Sequence, residues 1–301
     1  MDCQAVCRAK AIRVDRTGLT IDTSLCTDCL LCVAACPTQA IAAEGPPFAR
    51  TLSALQEAQS PVLGCFVRPK GQAHARTGCL GWLSDEHLAL LRLQLTSDLQ
   101  LNLTECSACP NEFVASELKQ RIGRVESQLP GEPSAALLPI LNRTDLRYQD
   151  VAFSRRSFFR AFGALARQRT FDSLDAFLSS EQTTAYGDKV LPARRKLLNM
   201  SLAAVSSQRR RELLQSFYFR IETNGNCDRC GVCVGICPTG ALRVVHDPVS
   251  KLVYRSSDCI GCGLCSEVCS QAAVAVHRGF PQDDPFVFLP CHSKLEQEVV
   301  S

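Results

Sequence analysis

The spacing of the cysteines constrains this chain more than any other feature. The segment CDRCGVCVGICPTGAL, residues 227–242, places four cysteines at intervals of two, two and three residues, with a proline after the fourth. The pattern nearly recurs twice, in CIGCGLCSEVCSQAAV from residue 259 and in CTDCLLCVAACPTQAI from residue 26. The chain has 19 cysteines in 301 residues, a length that favours two or three domains.

Many cysteines in one chain indicate a disulfide framework, zinc sites or iron–sulfur clusters. Disulfide frameworks are typical of small secreted domains, whereas this chain is long and shows no basic start followed by an apolar run. Zinc sites usually contain paired CxxC groups. A CxxCxxC run instead wraps a loop around a 4Fe–4S cluster, and a fourth cysteine before proline reaches a second cluster. The spacing therefore favours 4Fe–4S clusters.

The segment from Phe219 to His277 resembles the bacterial-type dicluster ferredoxin family. The 21 residues between Cys237 and Cys259 contain ALRVVHDPVSKLVY and are enough for a β-hairpin between the two motifs. Ser270 stands where the family usually has a proline, which leaves the ligands unchanged. The resemblance implies one cluster bound by Cys227, Cys230, Cys233 and Cys269, and another bound by Cys259, Cys262, Cys265 and Cys237.

The N-terminal segment, about Met1 to Ala43, resembles a truncated copy of the same family. CQAVCRAKAIRV aligns with CVGICPTGALRV, so that Cys7 occupies the position of Cys237. The resemblance implies a third 4Fe–4S cluster, bound by Cys26, Cys29, Cys32 and Cys7. Cys3 and Cys36 would then be the two remaining cysteines of a second ligand set whose other half is missing from this copy. Three interpretations stay open: the two are free thiols packed in the core, they form a disulfide, or cysteines elsewhere in the chain complete a metal site with them. We include Cys36 among the candidate metal ligands.

Residues 52–130 predict a different kind of unit. SPVLGCFV and DLQLNLTEC are predicted strands, and helical periodicity follows in two segments, the first with Ser84 as a candidate N-cap. This alternation predicts a small α/β unit with a parallel sheet, whose ligands bind beyond the carboxyl ends of the strands. Three interpretations stay open for its cysteines: a metal site, most simply a fourth 4Fe–4S cluster, a redox dithiol at the last two, or structural thiols. These cysteines are Cys65, Cys79, Cys106 and Cys109.

The middle of the chain is basic and lacks cysteine. LPGEPSAALLP is linker-like, and RRSFFRAFGALARQ and LPARRKLLNMSLAAVSSQRRRELLQSF are predicted helices. From Arg155 to Arg220 there are 13 Lys and Arg against 5 Asp and Glu, whereas the whole chain has a net charge of +3. This segment is either a set of solvated helix faces or a docking surface for an acidic partner. SRRSFFR resembles a twin-arginine export motif but is internal and interrupted by arginines, so we expect no export function.

We therefore predict an α+β multidomain chain. Two ferredoxin-like βαβ iron–sulfur modules, N- and C-terminal, flank a small α/β unit and a basic helical segment. The predicted segments are 1–46 (truncated ferredoxin-like module), 50–130 (α/β domain), 131–218 (linker and basic helices), 219–280 (dicluster ferredoxin domain) and 281–301 (C-terminal tail).

A 4Fe–4S cluster with four thiolate ligands moves one electron and has no open position for a substrate. The chain shows no flavin, nicotinamide or pterin motif and no apolar run long enough to span a membrane. We therefore predict a cytoplasmic electron-transfer protein or oxidoreductase subunit with a redox protein partner, without a catalytic residue, a small-molecule substrate or a nucleic-acid ligand. Two alternatives stay open: an accessory factor that matures a molybdenum-type oxidoreductase, and a redox enzyme with its site at Cys106 and Cys109.

Overall fold

The computed structural model describes residues 2–16, 18–43, 45–66, 72–130, 135–149, 189–246 and 250–291. The chain divides into two compact units, residues 1–182 and 183–301. Each unit combines helices with small sheets, so the architecture is of the mixed α+β type. Within the described ranges, no helix is both long and apolar enough to cross a membrane. SRRSFFR and the first predicted basic helix lie outside the described residues, as do residues 292–301 of the C-terminal tail.

The first unit begins with a hairpin that lies between two short helices in the sequence. Strands β1 (Ile12–Asp15) and β2 (Gly18–Ile21) pair in antiparallel fashion. Helix α1 (Asp2–Ala5) precedes the hairpin, α2 (Leu31–Ala35) follows it, and the two helices contact each other. Every residue of β2 is exposed, so this part of the unit has little apolar core of its own.

A four-stranded parallel sheet follows in the first unit. Its strands are β3 (Val62–Cys65), β4 (Ala75–Thr77), β5 (Leu99–Asn102) and β6 (Leu137–Ile140). They lie in the order β4-β3-β5-β6, and each neighbouring pair is parallel. The central strands β3 and β5 have no exposed residue, as is typical of parallel sheets, and β5 buries Gln100 and Asn102 as well as its leucines. The strands predicted before Cys65 and Cys106 are confirmed.

Strand β6 corrects the sequence prediction, because part of the stretch LPGEPSAALLP is not a linker. Leu137 pairs with Leu99, and Pro139 lies opposite Leu101. The strand order places β6 at the edge of the sheet. A proline is tolerated at an edge because its missing N–H group removes no bond from a second neighbouring strand.

Three helices accompany the sheet: α3 (Phe48–Gln56), α4 (Asp85–Gln94) and α5 (Phe113–Gln128). The side chain of Ser84 accepts a hydrogen bond from the backbone N–H of His87, which confirms the predicted N-cap of α4. From α5, Arg121 donates hydrogen bonds to the carbonyl oxygens of Gly81 and Leu83, both at 2.9 Å. These bonds fix the loop between β4 and α4, which contains Cys79.

In the second unit, the long basic segment forms two helices, α6 (Ala193–Ser201) and α7 (Ser207–Phe217), where one was predicted. After α6 the backbone N–H groups of residues 202–204 bond to carbonyls three residues earlier, which tightens and ends the helix. The side chain of Ser206 accepts a hydrogen bond from the N–H of Arg209 at 3.4 Å and starts a new helix. The apolar stretch between them misled the sequence prediction.

Two of the basic residues in this segment are not on the surface. Arg194 is 6% exposed and Arg195 is 2% exposed. Arg195 donates a hydrogen bond to the carbonyl of Phe217 at 2.7 Å and lies over the ring of Tyr218, 5.1 Å from its centre. Composition therefore overstates the positive charge that this segment presents to a partner.

The rest of the second unit consists of two antiparallel sheets and two short helices. Its strands are β7 (Phe219–Thr223), β8 (Leu242–His246), β9 (Ser250–Arg255), β10 (Val274–Arg278) and β11 (Phe288–Pro290). β7 pairs with β10, while β8 and β9 form the predicted hairpin, to which β11 adds along the other side of β9. Helices α8 (Val232–Ile236) and α9 (Leu264–Glu267) contact each other.

Candidate metal centres

The eight cysteines of the C-terminal motifs lie in two matching loop–helix segments. In each segment the first two cysteines are in a loop, the third is in a short helix, and the fourth follows that helix. The first segment, around α8, contains Cys227, Cys230, Cys233 and Cys237, and the second, around α9, contains Cys259, Cys262, Cys265 and Cys269. The N-terminal motif repeats the arrangement around α2, with Cys26, Cys29, Cys32 and Cys36.

In all three motifs, the residues on either side of the second cysteine have a left-handed backbone. Their φ values are 51° and 59° at Asp28 and Leu30, 60° and 78° at Arg229 and Gly231, and 66° and 76° at Gly261 and Gly263. This conformation is unfavourable by about 1–2 kcal/mol for a residue with a side chain. Its recurrence at three non-glycine positions indicates one loop geometry imposed in all three copies.

A second shared turn follows each cysteine of the fourth position. The third residue after each of these cysteines also has a positive φ: 71° at Gly240, 47° at Ala272, 53° at Gln39 and 52° at Lys10. Lys10 lies three residues after Cys7, so the truncated copy turns where the complete copies turn.

The contacts of the sulfur atoms support the same equivalence. The backbone N–H of Ala11 donates to Cys7 Sγ at 3.3 Å, and that of Ala273 donates to Cys269 Sγ at 3.2 Å. In both cases the donor is four residues after the cysteine. Hydrogen bonds to the cysteine sulfurs are one of the means by which a protein tunes an iron–sulfur cluster. The role of Cys7 as a cluster ligand itself stays a prediction.

The N-terminal cysteines lie close enough to influence one another's ionisation. Burial raises the pKa of Cys29, and the neighbouring Cys7 and Cys26 raise it further. Burial, followed by Cys29 and Cys26, raises the pKa of Cys32 to about 11. The Cys29 and Cys32 thiols resist ionisation until a cation compensates their charge, which is what iron supplies. The structure thus brings together Cys7, Cys26, Cys29 and Cys32.

The C-terminal cysteines show one half of the crossed arrangement expected of two clusters. Burial, followed by Cys262, Cys237 and Cys233, raises the pKa of Cys265 to about 11. Burial also raises the pKa of Cys262, to which Cys237 contributes. Cys237 belongs to the first motif in sequence, yet it lies with the thiols of the second. The return of Cys269 to the first motif stays a prediction.

The cysteines of the α/β unit lie at one edge of the parallel sheet. Cys65 is the last residue of β3, Cys79 follows β4 by two residues, and Cys106 and Cys109 begin and follow a short 3-10 helix after β5. Burial raises the pKa of Cys79 to about 12, and Cys65, Cys106 and Cys29 raise it further. The structure therefore brings at least three of these four cysteines together, as their places after the strands predicted.

Cys3 and Cys36 do not form a disulfide, and neither does any other of the 19 cysteines, all of which the structure describes. Burial raises the pKa of Cys36, but hydrogen bonds from the Thr38 side chain and from backbone N–H groups outweigh burial, and the pKa falls below its ordinary value. The Sγ–Oγ1 distance to Thr38 is 3.4 Å. Cys36 thus keeps the surroundings of a ligand, while its binding to a metal stays a prediction.

Cys291 is a residue of interest that the sequence analysis left unassigned. It is 1% exposed, and its backbone N–H donates to the carbonyl of Leu252 at 2.9 Å. Burial raises its pKa, and cysteines of both motifs, Cys233 and Cys265 foremost, raise it further. Its thiol therefore lies near cysteines of both motifs. No local spacing could reveal this, because β11 brings Cys291 there through pairing with β9.

Each unit also places a buried guanidinium near candidate ligands. Burial raises the pKa of Cys259 to about 12, and the positive charge of Arg195 opposes that rise. Burial lowers the pKa of Arg121, and Cys29 is among the groups that oppose this effect. Net charge around an iron–sulfur cluster is one determinant of its reduction potential. A nearby cation stabilises the more negative, reduced state.

The donor sets suit 4Fe–4S clusters. Each set consists of thiolates, the ligands that hold such clusters, with backbone N–H groups directed at sulfur. Among the residues that the structure describes, no three His, Cys, Asp or Glu side chains are arranged around a single metal ion.

Comparison with known families agrees with this chemistry. The family described as "4Fe-4S dicluster domain" matches residues 226–273, and the family described as "4Fe-4S binding domain" matches residues 19–42. A search of curated proteins and a search of solved structures each found no match. The first match contains all eight C-terminal cysteines, and the second contains Cys26, Cys29, Cys32 and Cys36 but begins after Cys7. The chain therefore contains two 4Fe–4S ferredoxin-type domains, one near each end.

Proposed function

We propose that this protein is an electron-transfer protein, or the electron-transfer subunit of an oxidoreductase, that relays single electrons through at least three 4Fe–4S clusters. The observation that supports this best is the left-handed backbone on both sides of the second cysteine in all three motifs. The proposed ligand sets are Cys7 with Cys26, Cys29 and Cys32, Cys269 with Cys227, Cys230 and Cys233, and Cys237 with Cys259, Cys262 and Cys265.

A 4Fe–4S cluster with four thiolate ligands takes up and releases one electron and offers no open position to a substrate. The protein's own residues prepare the sites for this. Cys233, Cys237, Cys259 and Cys265 are buried, which limits access of water. Arg195 favours the reduced state near Cys259 through its charge. Because every ligand position is occupied by a cysteine, the protein passes electrons on and leaves the chemistry at either end to partners.

Cys230 marks the point at which electrons enter or leave the second unit. It is exposed, whereas the cysteines of the second motif are buried or half-buried. Lys189, which is exposed, donates to the carbonyls of Val234 and Gly235 in α8, beside this motif. A positive charge on the helix that follows an exposed ligand suits docking of an acidic redox protein, whose approach it would steer. We therefore place the docking site for such a partner around Cys230 and Lys189.

Iron analysis tests the cluster count. Anaerobically purified protein should contain at least about 12 irons per chain and an equal amount of acid-labile sulfide. Cys7→Ala should remove about four of these irons, because it deletes one ligand of the N-terminal cluster. Cys3→Ala is the matched control, since Cys3 lies four residues earlier in α1 and is not among the proposed ligands. Unchanged iron in Cys7→Ala would refute the N-terminal ligand set.

Stopped-flow reduction tests the relay. Protein reduced by a one-electron chemical donor should pass its electrons to an acidic one-electron acceptor protein, with a rate that falls as salt is added. Lys189→Ala should weaken that salt dependence and leave the iron content unchanged. Tight binding that is limited to the immature, cofactor-free form of an oxidoreductase would instead indicate an assembly factor and contradict the relay.

A further inference from the structure

The four cysteines of the α/β unit lie where a parallel sheet gathers its ligands. Cys65 ends β3, while Cys79 and Cys106 follow β4 and β5, and these three strands are neighbours in the sheet. Because parallel strands all end at the same edge, the three cysteines meet there, although up to 40 residues separate them in sequence. Cys109 follows Cys106 in a tight turn, in which the N–H of Cys109 donates to the carbonyl of Cys106 at 3.0 Å.

The loop that contains Cys79 is held firmly. The carbonyl oxygen of Cys79 accepts a hydrogen bond from the N–H of Trp82 at 3.3 Å. The indole N–H of Trp82 donates to Thr77 Oγ1 at 2.9 Å, and Arg121 donates to two carbonyls of the same loop. Cys79 is 9% exposed, while its neighbours Cys65 and Cys106 are half-buried. Thiols that are fixed, partly covered and close together form a preorganised site for a thiophilic metal.

This cysteine group adjoins the loop of the N-terminal motif. A Cβ atom added to Gly81 would lie 2.1 Å from the carbonyl oxygen of Cys29, and one added to Gly78 would lie 2.6 Å from Leu30 Cδ1. Asn111, two residues after Cys109, donates to the carbonyl of Thr27 at 2.7 Å. The two loops therefore touch through backbone, and glycine is required at Gly81 for that approach.

Apolar packing completes the same contact. Cys79 forms a small buried cluster with Leu31 of α2 and Val114 of α5. Cys29 and Phe113 pack against this cluster from its partly exposed side. Cys79 and the ligand loop of the N-terminal motif thus pack against the same buried apolar cluster.

We propose that Cys65, Cys79, Cys106 and Cys109 bind an additional 4Fe–4S cluster beside the N-terminal one. The proposal extends the electron relay and rests on it. A redox dithiol would need Cys106 and Cys109 alone and would leave the convergence of Cys65 and Cys79 without a purpose. A single zinc ion needs its ligands around one point, whereas a 4Fe–4S cluster binds each cysteine through a different iron and suits a wider set.

The test compares iron and sulfide in full-length, anaerobically purified variants. Wild-type protein should contain about 16 irons, and Cys106→Ala/Cys109→Ala about 12, because four irons leave with the additional cluster. Ser107→Ala is the matched control: Ser107 lies between the two cysteines, is exposed, and its replacement should leave the iron content unchanged. Iron that stays unchanged in the double variant, or zinc bound in the wild type at this site, overturns the proposal.

Two further variants separate a lost ligand from a damaged fold. Cys65 lies in a different part of the sheet, in β3, and Cys65→Ala should remove the same four irons. The triple variant that combines it with Cys106→Ala/Cys109→Ala should lose no more iron than either. If the triple variant instead loses the sum of the irons lost in the separate variants, the cysteines do not share one cluster and the proposal is overturned. Iron lost in Cys7→Ala but not in the α/β variants refutes the additional cluster alone, whereas iron lost in neither refutes the relay as well. Paramagnetic resonance of the reduced protein should show one fewer cluster signal in the α/β variants.

Discussion

The glycines around Cys262 allow a quantitative test of the ligand-loop geometry. Gly261 has a φ of 66°, and a Cβ atom placed on it would lie 2.3, 2.4 and 2.7 Å from three atoms of the Phe219 ring. That ring cannot move aside easily, because the guanidinium groups of Arg195 and Arg278 lie over it at 5.9 and 5.3 Å. Gly263 has a φ of 76° but open space around it.

The two sites separate backbone strain from steric overlap. Gly263→Ala should lower the free energy of unfolding by about 1–2 kcal/mol, the usual penalty of a left-handed residue with a side chain. Gly261→Ala suffers the same strain and an overlap worth about 1–3 kcal/mol more, about 2–5 kcal/mol in all. Asp28 and Arg229 occupy the position of Gly261 in the other motifs with positive φ, so strain alone is tolerated there.

Anaerobic urea titration, followed by loss of the visible absorbance of the clusters, measures these differences. Gly261→Ala should lower the midpoint by on the order of 1–2 M urea, and Gly263→Ala by less. Gly235→Ala is the control: it lies in α8 with free space around it, and should stabilise by about 0.5–1 kcal/mol. Phe219→Leu should restore part of the loss in Gly261→Ala. Equal midpoints for the Gly261 and Gly263 variants would show that the Phe219 contact is wrong.

Two other predictions concern reduction potentials, measured by redox titration with paramagnetic resonance. Cys291→Ala should keep all the iron but shift the reduction potentials of the C-terminal clusters to more negative values by about 30–60 mV. On this scale, 59 mV corresponds to a tenfold change in the equilibrium constant for one electron. A loss of iron would show instead that Cys291 is a ligand. Arg195→Gln should also shift the potential of the cluster near Cys259 to more negative values, because a buried positive charge is removed. An unchanged potential there would contradict electrostatic control by Arg195.

Sequence spacing predicted what depends on nearby residues. The cysteine loops, the strands before Cys65 and Cys106, and the cap at Ser84 all follow from patterns within about ten residues. Each of these elements repeats a local rule for which the sequence contains all the information. The expectation that the cysteines of the α/β unit gather at one sheet edge also followed, because strand order and direction fix where parallel strands end.

The features that depend on contacts between residues far apart in the chain could not be predicted from the sequence. Strand β6 forms despite Pro139 because β5 offers it a partner at the edge of the sheet. Cys291 reaches the ligand cysteines only through the pairing of β11 with β9. Arg194 and Arg195 count as charged surface in any composition, yet the fold buries both. In each case a contact across many residues outweighs the local preference.

The close approach of Gly81 to Cys29 has a consequence for biosynthesis. The wall that covers the N-terminal ligand loop is built from Gly78, Cys79, Gly81 and Val114, all of which leave the ribosome long after Cys32. Until residue 114 has emerged, the four proposed N-terminal ligands remain open to oxidants and to competing metals. Delivery of iron to this end of the protein must therefore wait until residue 114 has been synthesised, and residues 1–46 expressed alone should stay colourless.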